Sequence, residues 1–498
     1  MIKGCVCRML IFTVVVTYCS NYQLYNEYVV NNLAETLQKW IGVQLGSQAT
    51  AKSIWSVFVS TLLFGKMLGP LASAPLSERF GRKVTMLICC CTFLTSGLLT
   101  GLAKPCSSFL MLWAGRLLAG FTVGMANVLP SLWVTEAAPR KWRGFYGAFQ
   151  VWGNSFSAIF ANAVTLPGAL DSDSTWPIAM LLGVSPIVIL LPIIAMWFPE
   201  SPRFLFYKRN KPIQLHKSIA FFQGTEQVDD VLADMQTERA AGNTGQSISF
   251  WQFVKDRRNR KRLLLVLTTM GVTHVDLSRV LDVYSSLVMM AAGWSFSAAA
   301  IGTLVPSIIK AVVCPVVLSF SDATGRRIPM LVSSYVMSAS LMLMALSFAC
   351  LPAGTVAGSL VCLGQGVVRV LHGIFQGNGV VVMAEILEQN SRAKVVAATR
   401  VLCWFVAFLL TLSLLPTAHL LGWAWPFAFC SVLTLARTIV CQLKLHETRR
   451  QQLGHMLLSS REASVISLEL EEPEDQLPFD ASKQKRNSSL YFTSDFED

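Results

Sequence analysis

Twelve long apolar stretches dominate this chain of 498 residues. A helix needs about 20 mostly apolar residues to cross the roughly 30 Å hydrocarbon core of a bilayer. Stretches that meet this requirement lie at residues 9–30, 53–75, 84–103, 107–134, 144–166, 176–197, 263–291, 296–319, 328–351, 356–386, 395–420 and 423–444. The pattern predicts an all-α membrane protein with twelve transmembrane helices.

The composition excludes the two main alternatives to a membrane protein. Only 14% of the residues are charged and 53% are hydrophobic, whereas soluble globular proteins carry about 25% charged residues. Disordered chains are poor in apolar residues, so disorder is excluded as well. The 13 cysteines are scattered, and no Cys/His spacing typical of a metal site occurs. We therefore expect no disulfide framework, no bound metal and no cofactor.

The first apolar stretch is the weakest. Lys3 and Arg8 precede the short run Met9–Tyr18, and a basic segment followed by a short apolar run is also typical of a signal peptide. A first transmembrane helix and a signal peptide therefore remain alternatives for residues 9–30.

Lys and Arg residues predict the orientation, because they accumulate on the cytoplasmic side of membrane proteins. With the amino terminus and the even-numbered connections in the cytoplasm, 31 of the 41 Lys and Arg residues lie on that side. The opposite side holds only Lys39, Lys52 and Lys104. Both termini are predicted to be cytoplasmic. This asymmetry explains much of the net charge of +12, so we expect no nucleic-acid partner.

Charged motifs recur at an offset of 244 to 249 residues, which indicates an internal repeat. The matching pairs are Glu78–Lys83 with Asp322–Arg327, Glu136 and Arg143 with Glu385 and Arg392, and Glu200 with Glu447. We expect an amino-terminal six-helix bundle at 1–198 and a carboxyl-terminal one at 263–447. A cytoplasmic linker with short helices is predicted at 199–262, and a disordered cytoplasmic tail at 448–498.

The repeated charges are predicted to lie at the cytoplasmic ends of helices. An Arg in an acidic–Gly–Arg turn can dock bidentately on a Glu of a neighbouring helix, and such pairs would close a cytoplasmic gate between two rocking halves. Simple positive-inside anchoring is the alternative, although anchors need no Glu beside each Arg. The predicted gate residues are Glu78, Arg82, Glu136, Arg143, Glu200, Asp322, Arg326, Glu385, Arg392 and Glu447.

These motifs resemble those of the major facilitator superfamily, and within it the sugar porter (glucose-transporter) family. Glu78–Lys83, Gly115–Arg116, Asp322–Arg327 and Glu447–Thr448 contribute to the likeness, and the stretch 199–205 is the most specific part. The resemblance implies the major facilitator fold and alternating-access transport of a hexose or similar small polar solute. It further implies that the protein is not an enzyme, and it favours the plasma membrane.

The pocket departs from the family pattern. Where sugar porters carry amide side chains, this chain has Val151 preceded by Gln150, Thr273–Asp276 followed by Arg279, Lys310, and Cys403 beside a retained Trp404. A lost hydrogen-bond partner costs about 1–3 kcal/mol, so ordinary glucose binding would be weak. The expected substrate-binding residues are Asn26, Gln150, His274, Arg279, Tyr284, Lys310 and Trp404.

Charges within the spans raise a second possibility. Asp276, Arg279 and Asp282 are three residues apart and would share one face of a continuous helix. They could neutralise one another and merely pack, or Arg279 could join Lys310 in binding an organic anion. His274 is expected to be a packed polar residue. Arg369 and His372 receive no assignment, because the sequence shows no partner for either.

Energy coupling is expected to be facilitative. Asn26 follows Tyr25 at the place where proton-coupled sugar porters tend to carry an Asp, and an amide cannot titrate. Glu27 is an alternative proton site, but we expect it to face water near the outer end of its helix. A non-transporting solute sensor on the same fold is a further alternative, suggested by the altered pocket and the serine-rich tail. The sequence does not indicate the oligomeric state.

Overall fold

The computed structural model describes residues 2–22, 25–139, 143–209, 211–224, 228–242, 255, 257–386 and 389–445. At some of these positions, including Arg143, Gln150, Asp322, Glu385 and Arg392, only the backbone is described. These five side chains, Glu447 and the predicted tail at 448–498 therefore lie outside the described part of the molecule.

All regular secondary structure in the described residues is helical. The first half contains α1 (Ile2–Tyr22), α2 (Tyr25–Asn32), α3 (Ala34–Gln44), α4 (Gln48–Phe80), α5 (Arg82–Leu102), α6 (Phe109–Ala126), α7 (Leu129–Ala137), α8 (Arg143–Val164), α9 (Trp176–Leu182) and α10 (Ser185–Trp197). The linker contributes α11 (Pro212–Phe222), α12 (Val228–Gly242) and the start of α13 (Arg257–Val266). The second half continues with α14 (Ser278–Ala291), α15 (Phe296–Thr324), α16 (Arg327–Cys350), α17 (Thr355–Ile386), α18 (Gln389–Leu421) and α19 (Ala424–Lys444).

Ten helical segments of the described chain are long and apolar enough to cross a membrane. They correspond to ten of the twelve predicted stretches, and α9 with α10 forms one of them. The other two stretches, 9–30 and 144–166, correspond to α1 with α2 and to α8. The twelve-helix prediction therefore matches the helices of the structure.

Helix α1 packs into the bundle. Its Phe12 is fully buried, with ring centroids 5.0 Å from Trp133, 5.0 Å from Phe198 and 4.7 Å from Phe222. Phe222 belongs to α11, so the linker helix also packs against this aromatic cluster. These contacts are those expected of a first transmembrane helix.

The internal repeat is visible in the backbone. Gly81 and Gly325, 244 residues apart, have φ values of +100° and +101°, in the left-handed region that favours glycine. A helix begins directly after each turn, α5 at Arg82 and α16 at Arg327. At Gly81 a Cβ atom would also collide with the Glu200 carboxylate. The acidic–Gly–Arg motif therefore forms the same turn in both halves.

The stretch 263–291 is not one continuous helix. Helix α13 is followed by a π-helical turn at Leu267–Gly271 and a 3₁₀ turn at Thr273–Asp276. Leu277 then adopts a left-handed conformation with φ of 58°, and α14 begins after it. The expectation that Asp276, Arg279 and Asp282 share one helical face was therefore wrong, because the break turns Asp276 away from the other two.

One hydrophobic cluster joins the halves at the predicted extracellular end. It combines Tyr28 and Trp176 of the first half with Val288, Leu341 and Phe427 of the second, all buried. Burial of this apolar surface holds the two halves together on that side. The polar interior lies between this cluster and the predicted cytoplasmic end.

Candidate functional site

Asp282 is the centre of a buried charge network in the second half. Its Oδ2 accepts a hydrogen bond of 3.0 Å from Arg279, and its Oδ1 accepts one of 3.1 Å from Arg369. Tyr28 of the first half approaches Oδ2 at 3.5 Å. All of these side chains are buried, so one carboxylate holds two guanidinium groups and touches the opposite half.

The two arginines are fixed further by neutral acceptors. Arg369 donates to the carbonyl oxygen of Thr303 at 3.2 Å and to the Ser307 hydroxyl at 3.3 Å. Arg279 donates to Gln376 Oε1 at 3.2 Å. Arg369 and Gln376 had no assigned role in the sequence. Only the fold could reveal them, because their partners lie on other helices.

Asp276 pairs with His372 rather than with Arg279. Its carboxylate lies 2.7 Å from Nδ1 of His372 and also accepts the backbone N–H of Ser278 at 3.0 Å. The predicted Asp–Arg–Asp cluster is therefore half correct, since Arg279 meets Asp282 alone. His372, which also lacked an assignment, is the partner that sequence spacing could not show.

His274 is packed between two rings. Its ring centroid lies 5.3 Å from that of His372 and 5.1 Å from that of Trp404. It is fully buried, and neither ring nitrogen has a hydrogen-bond partner among the described residues. The packed position agrees with the sequence expectation. The unsatisfied nitrogens leave it able to bind a polar ligand, since buried polar groups are normally hydrogen-bonded.

His274, Asp276 and His372 place one ligand atom each within 4.8 Å of one another. This donor set could in principle hold a divalent cation. However, Arg437 donates to the carbonyl oxygen of Thr273 at 2.8 Å, and Arg279 lies on the next turn. The neighbouring positive charges oppose cation binding, so we assign no metal here.

Glu27 and Lys66 form an ion pair in the first half with both side chains fully buried. The expectation that Glu27 faces water was therefore wrong. Lys66 Nζ also lies 4.4 Å from the ring centroid of Trp404, within range of a cation–π contact. Trp404 belongs to α18, so this lysine links the Glu27 carboxylate to the opposite half.

Asn26 and Tyr284 are both buried. The Asn26 amide has no hydrogen-bond partner in the described structure, while its backbone carbonyl accepts from Arg116. Arg116 in turn lies over the Phe58 ring at 5.7 Å. The amide of Asn26 could therefore form a hydrogen bond with a hydroxyl group of a solute.

A small cavity lies beside the charge network in the second half. It is lined by Met270, Thr273, Gln376, Val380, Met383, Thr399, Arg400 and Cys403. Lys310 does not line this cavity. Its stem lies close to Gly373, where an added Cβ would be 3.1 Å from Lys310 Cε. Gly373 is one helical turn from Gln376, which places Lys310 beside the cavity.

Polar side chains close the predicted extracellular side of this region. Asn31 and Ser286 exchange two hydrogen bonds of 3.1 and 3.0 Å, and the Ser286 hydroxyl donates to Asn32 at 2.7 Å. The Thr303 hydroxyl donates to Asn162 at 3.3 Å. Each of these bonds joins the first half to the second.

The structure describes part of the predicted gate in the first half. Arg82 Nη2 donates to Glu136 Oε1 at 2.7 Å, and Ser201 donates to the other carboxylate oxygen of Glu136. The second terminal nitrogen of Arg82 donates to the Ser77 carbonyl at 3.2 Å. The docking is therefore through one hydrogen bond rather than the bidentate pair that was expected.

Glu200 caps a helix instead of pairing with an arginine. Its carboxylate accepts backbone N–H groups of Arg82, Lys83 and Ser201 at 2.8, 3.2 and 2.8 Å, and a helix amino terminus favours such an anion. Burial nevertheless raises the pKa of Glu200 above its ordinary value, and these donors only partly oppose that shift.

The remaining gate predictions have mixed outcomes. Glu78 is exposed and forms no ion pair with any described side chain. Arg326 is half-buried at the start of α16. The partners proposed for it, together with Arg143 and Gln150, lie outside the described side chains. The closure of the second half therefore stays a prediction.

Comparison with known proteins gives matches over nearly the whole chain. A family model described as "Sugar (and other) transporter" matches residues 12–457. The human "Solute carrier family 2, facilitated glucose transporter member 3" is 25% identical over 460 residues, covering 88% of this chain and 90% of that protein. Member 4 from Mus musculus is 24% identical over 473 residues and covers 91% of each chain.

Solved structures show the same fold. The partially occluded inward-open xylose transporter XylE from E. coli superposes with a TM-score of 0.73 and 18% identity, covering 89% of this chain and 99% of that one. A structure of the proton:xylose symporter XylE bound to 6-bromo-6-deoxy-D-glucose gives a TM-score of 0.72 with 17% identity, over 91% and 98% of the two chains. The fold is thus the twelve-helix major facilitator fold.

Proposed function

The chain belongs to the sugar transporter family of the major facilitator superfamily, and on this premise we propose that it moves a hexose-like solute across a membrane by facilitated diffusion. It is a multi-pass membrane transporter and not an enzyme. The observation that carries the proposal is the cavity that lies beside Arg279 and Gln376 while polar bonds join the two halves on the predicted extracellular side. A site that is closed on one side is what alternating access requires.

Two residues of the buried interior support hexose-like chemistry. Asn26 and His274 are buried and have free polar atoms in the described structure. Sugar hydroxyls both donate and accept, so an amide and an imidazole suit them. Trp404 lies against His274 and offers an apolar face.

Facilitated transport is favoured over proton coupling by the pairing of the buried carboxylates. Glu27 is held by Lys66, Asp282 by Arg279 and Arg369, and Asp276 by His372. Each of the three acids is therefore engaged by a partner within the protein, and no acid without such a partner is found in the described interior.

Counterflow in proteoliposomes tests transport directly. Vesicles containing the purified chain and loaded with unlabelled hexose should transiently accumulate labelled hexose from outside. Empty vesicles are the control. A non-transporting sensor would bind the solute without exchanging it, and flat counterflow over a panel of hexoses and pentoses would contradict the proposal.

A protonophore tests the coupling. Facilitated uptake should be unchanged when the proton gradient is collapsed, because no proton moves with the solute. A fall in uptake to the level of empty vesicles would show proton coupling instead. We further propose the plasma membrane as the location, on the basis of the family resemblance, and a cytoplasmic position of both termini, on the basis of the Lys and Arg distribution.

A further inference from the structure

Cations outnumber acids within the predicted spans. Seven Lys and Arg residues lie inside them, namely Lys66, Arg116, Arg279, Lys310, Arg369, Arg400 and Arg437. The acids within the same interior are Glu27, Asp276 and Asp282; Glu385 lies at the edge of its span and belongs to the predicted gate. A buried charge is costly unless it is paired, so the excess of positive charge needs partners.

Five of the seven cations have partners in the structure. Lys66 meets Glu27, and Arg279 and Arg369 share Asp282. Arg116 donates to the Asn26 carbonyl, and Arg437 donates to the Thr273 carbonyl and the Ser334 hydroxyl. Asp276 is occupied by His372. Each acid of the described interior therefore already has a partner.

Lys310 and Arg400 are the two that remain. Neither forms an ion pair or a hydrogen bond with any residue that the structure describes, although Asp282 attracts the Lys310 charge from a longer distance. Arg400 lines the cavity together with Thr273 and Gln376. Lys310 lies against Gly373, one turn from Gln376. Two unpaired cations thus lie on opposite helices, α15 and α18, beside the same cavity.

We propose that the transported solute is a sugar acid, whose carboxylate is bound by Arg400 and Lys310. This inference rests on the proposed transport function and names the substrate class of its site. A guanidinium group binds a carboxylate through paired hydrogen bonds, and an ammonium group adds a compact point charge. Arg279, which the sequence suggested as a possible partner of Lys310 in binding an anion, is instead held by Asp282 and Gln376.

The hydroxyl groups of the solute have separate partners. Thr273 and Gln376 line the cavity beside Arg400, and the ring nitrogens of the adjacent His274 have no hydrogen-bond partner among the described residues. A simple fatty acid would leave these polar groups unpaired, which is costly in a buried site. A hydroxylated carboxylate satisfies both the cations and the polar groups.

Anion transport without a co-ion moves net charge, and this provides the test. The full chain is reconstituted in proteoliposomes, and uptake of labelled D-glucuronate and labelled D-glucose is measured with a potassium diffusion potential of either sign. Glucuronate uptake should be faster with an inside-positive potential, whereas glucose uptake should not respond. Labelled butyrate, a carboxylate without hydroxyl groups, should not be taken up above empty vesicles.

Four variants locate the site. Lys310→Gln and Arg400→Gln should each lower glucuronate uptake about tenfold or more, as expected for a lost charge-assisted hydrogen bond, while Lys310→Arg should retain most of it. Lys39→Gln is the matched control, because the Lys39 side chain is 70% exposed and pairs with the exposed side chain of Glu35. Thermal unfolding and size-exclusion elution of each detergent-solubilised variant, compared with the unaltered protein, show whether it is folded.

The outcomes separate the two proposals. Glucose counterflow without glucuronate uptake would overturn the sugar-acid inference and leave the proposed function intact. No exchange of any solute would overturn both. Glucuronate uptake that is unchanged in both glutamine variants would overturn the assigned binding site. If a glutamine variant does not fold, the potential dependence in the unaltered protein still decides the charge of the solute.

Discussion

The Lys66 ammonium group lies between the carboxylate of Glu27 and the indole ring of Trp404. The ion pair is fully buried in the first half, and the ring, 4.4 Å away, belongs to the second. Removing one partner of a buried ion pair leaves an uncompensated charge, whereas replacing both with apolar groups can be neutral. This relationship gives the first prediction.

Glu27→Gln should destabilise the protein by about 3–5 kcal/mol, because the Lys66 charge is left buried without its counter-ion. The double variant Glu27→Met with Lys66→Met, which replaces both partners with apolar groups, should recover most of the loss. Thermal unfolding of the detergent-solubilised variants measures both. A single variant as stable as the unaltered protein would mean that water or another group compensates Lys66.

Asp282→Asn should impair both stability and transport. It removes the charge that binds Arg279 and Arg369, and a hydrogen bond to a charged group contributes about 1.5–3 kcal/mol. Asp173→Asn is the control, because Asp173 is 72% exposed in its pair with Lys104 and such pairs contribute about 0–1 kcal/mol. If Asp282→Asn and Asp173→Asn changed counterflow and thermal unfolding equally, a special role for Asp282 would be contradicted.

Arg82→Gln should slow exchange about tenfold if the Arg82–Glu136 pair takes part in closing the predicted cytoplasmic gate, since a factor of ten corresponds to about 1.4 kcal/mol. Glu136→Gln should have a similar effect, and the double variant should be no worse than either, because the two residues act as one pair. Arg79→Gln, three residues away and exposed, should leave exchange unchanged. Additive losses in the double variant would argue against a shared gate.

Glu200 should make stability depend on pH. Burial raises its pKa above the ordinary value of 4.5, so the folded protein holds this proton more tightly than the unfolded chain. The stabilising contribution is therefore present below the unfolded pKa and is lost as the pH rises through the folded pKa. Relative to Glu200→Gln, the unaltered protein should lose stability over that interval when thermal unfolding is followed upward from pH 4. The same pH profile in both proteins would refute the assignment.

Gly81→Ala should destabilise the first acidic–Gly–Arg turn. Its φ of +100° costs about 1–3 kcal/mol for a residue with a side chain, and the new Cβ would also collide with Glu200. Gly168→Ala separates the two causes, since Gly168 has φ of +84° with nothing within 4 Å of the added Cβ. A lower unfolding temperature for Gly81→Ala than for Gly168→Ala is expected.

The sequence by itself determined the class of fold. The stretches long and apolar enough to span a bilayer could be counted in the sequence. The hydrocarbon core holds no water, so a spanning segment must satisfy its own backbone hydrogen bonds, and a helix does so. The repeat was readable because its turns need glycine at Gly81 and Gly325. The charged residue Arg279 and the polar residue His274 were noticed because such side chains stand out within apolar runs, whereas Trp404 was named as a candidate from the family resemblance alone.

Only the tertiary structure decided which charges meet. Asp282 pairs with Arg369, which is 87 residues away in the sequence, and Asp276 pairs with His372, which is 96 residues away. The break at Leu277 separates two acids that a continuous helix would have aligned, and Glu27 lies buried where a helix end facing water was expected. Local sequence fixes which residues lie within the membrane. Pairing depends on which helices pack together, and that choice alone leaves Lys310 and Arg400 without an ion pair among the described residues.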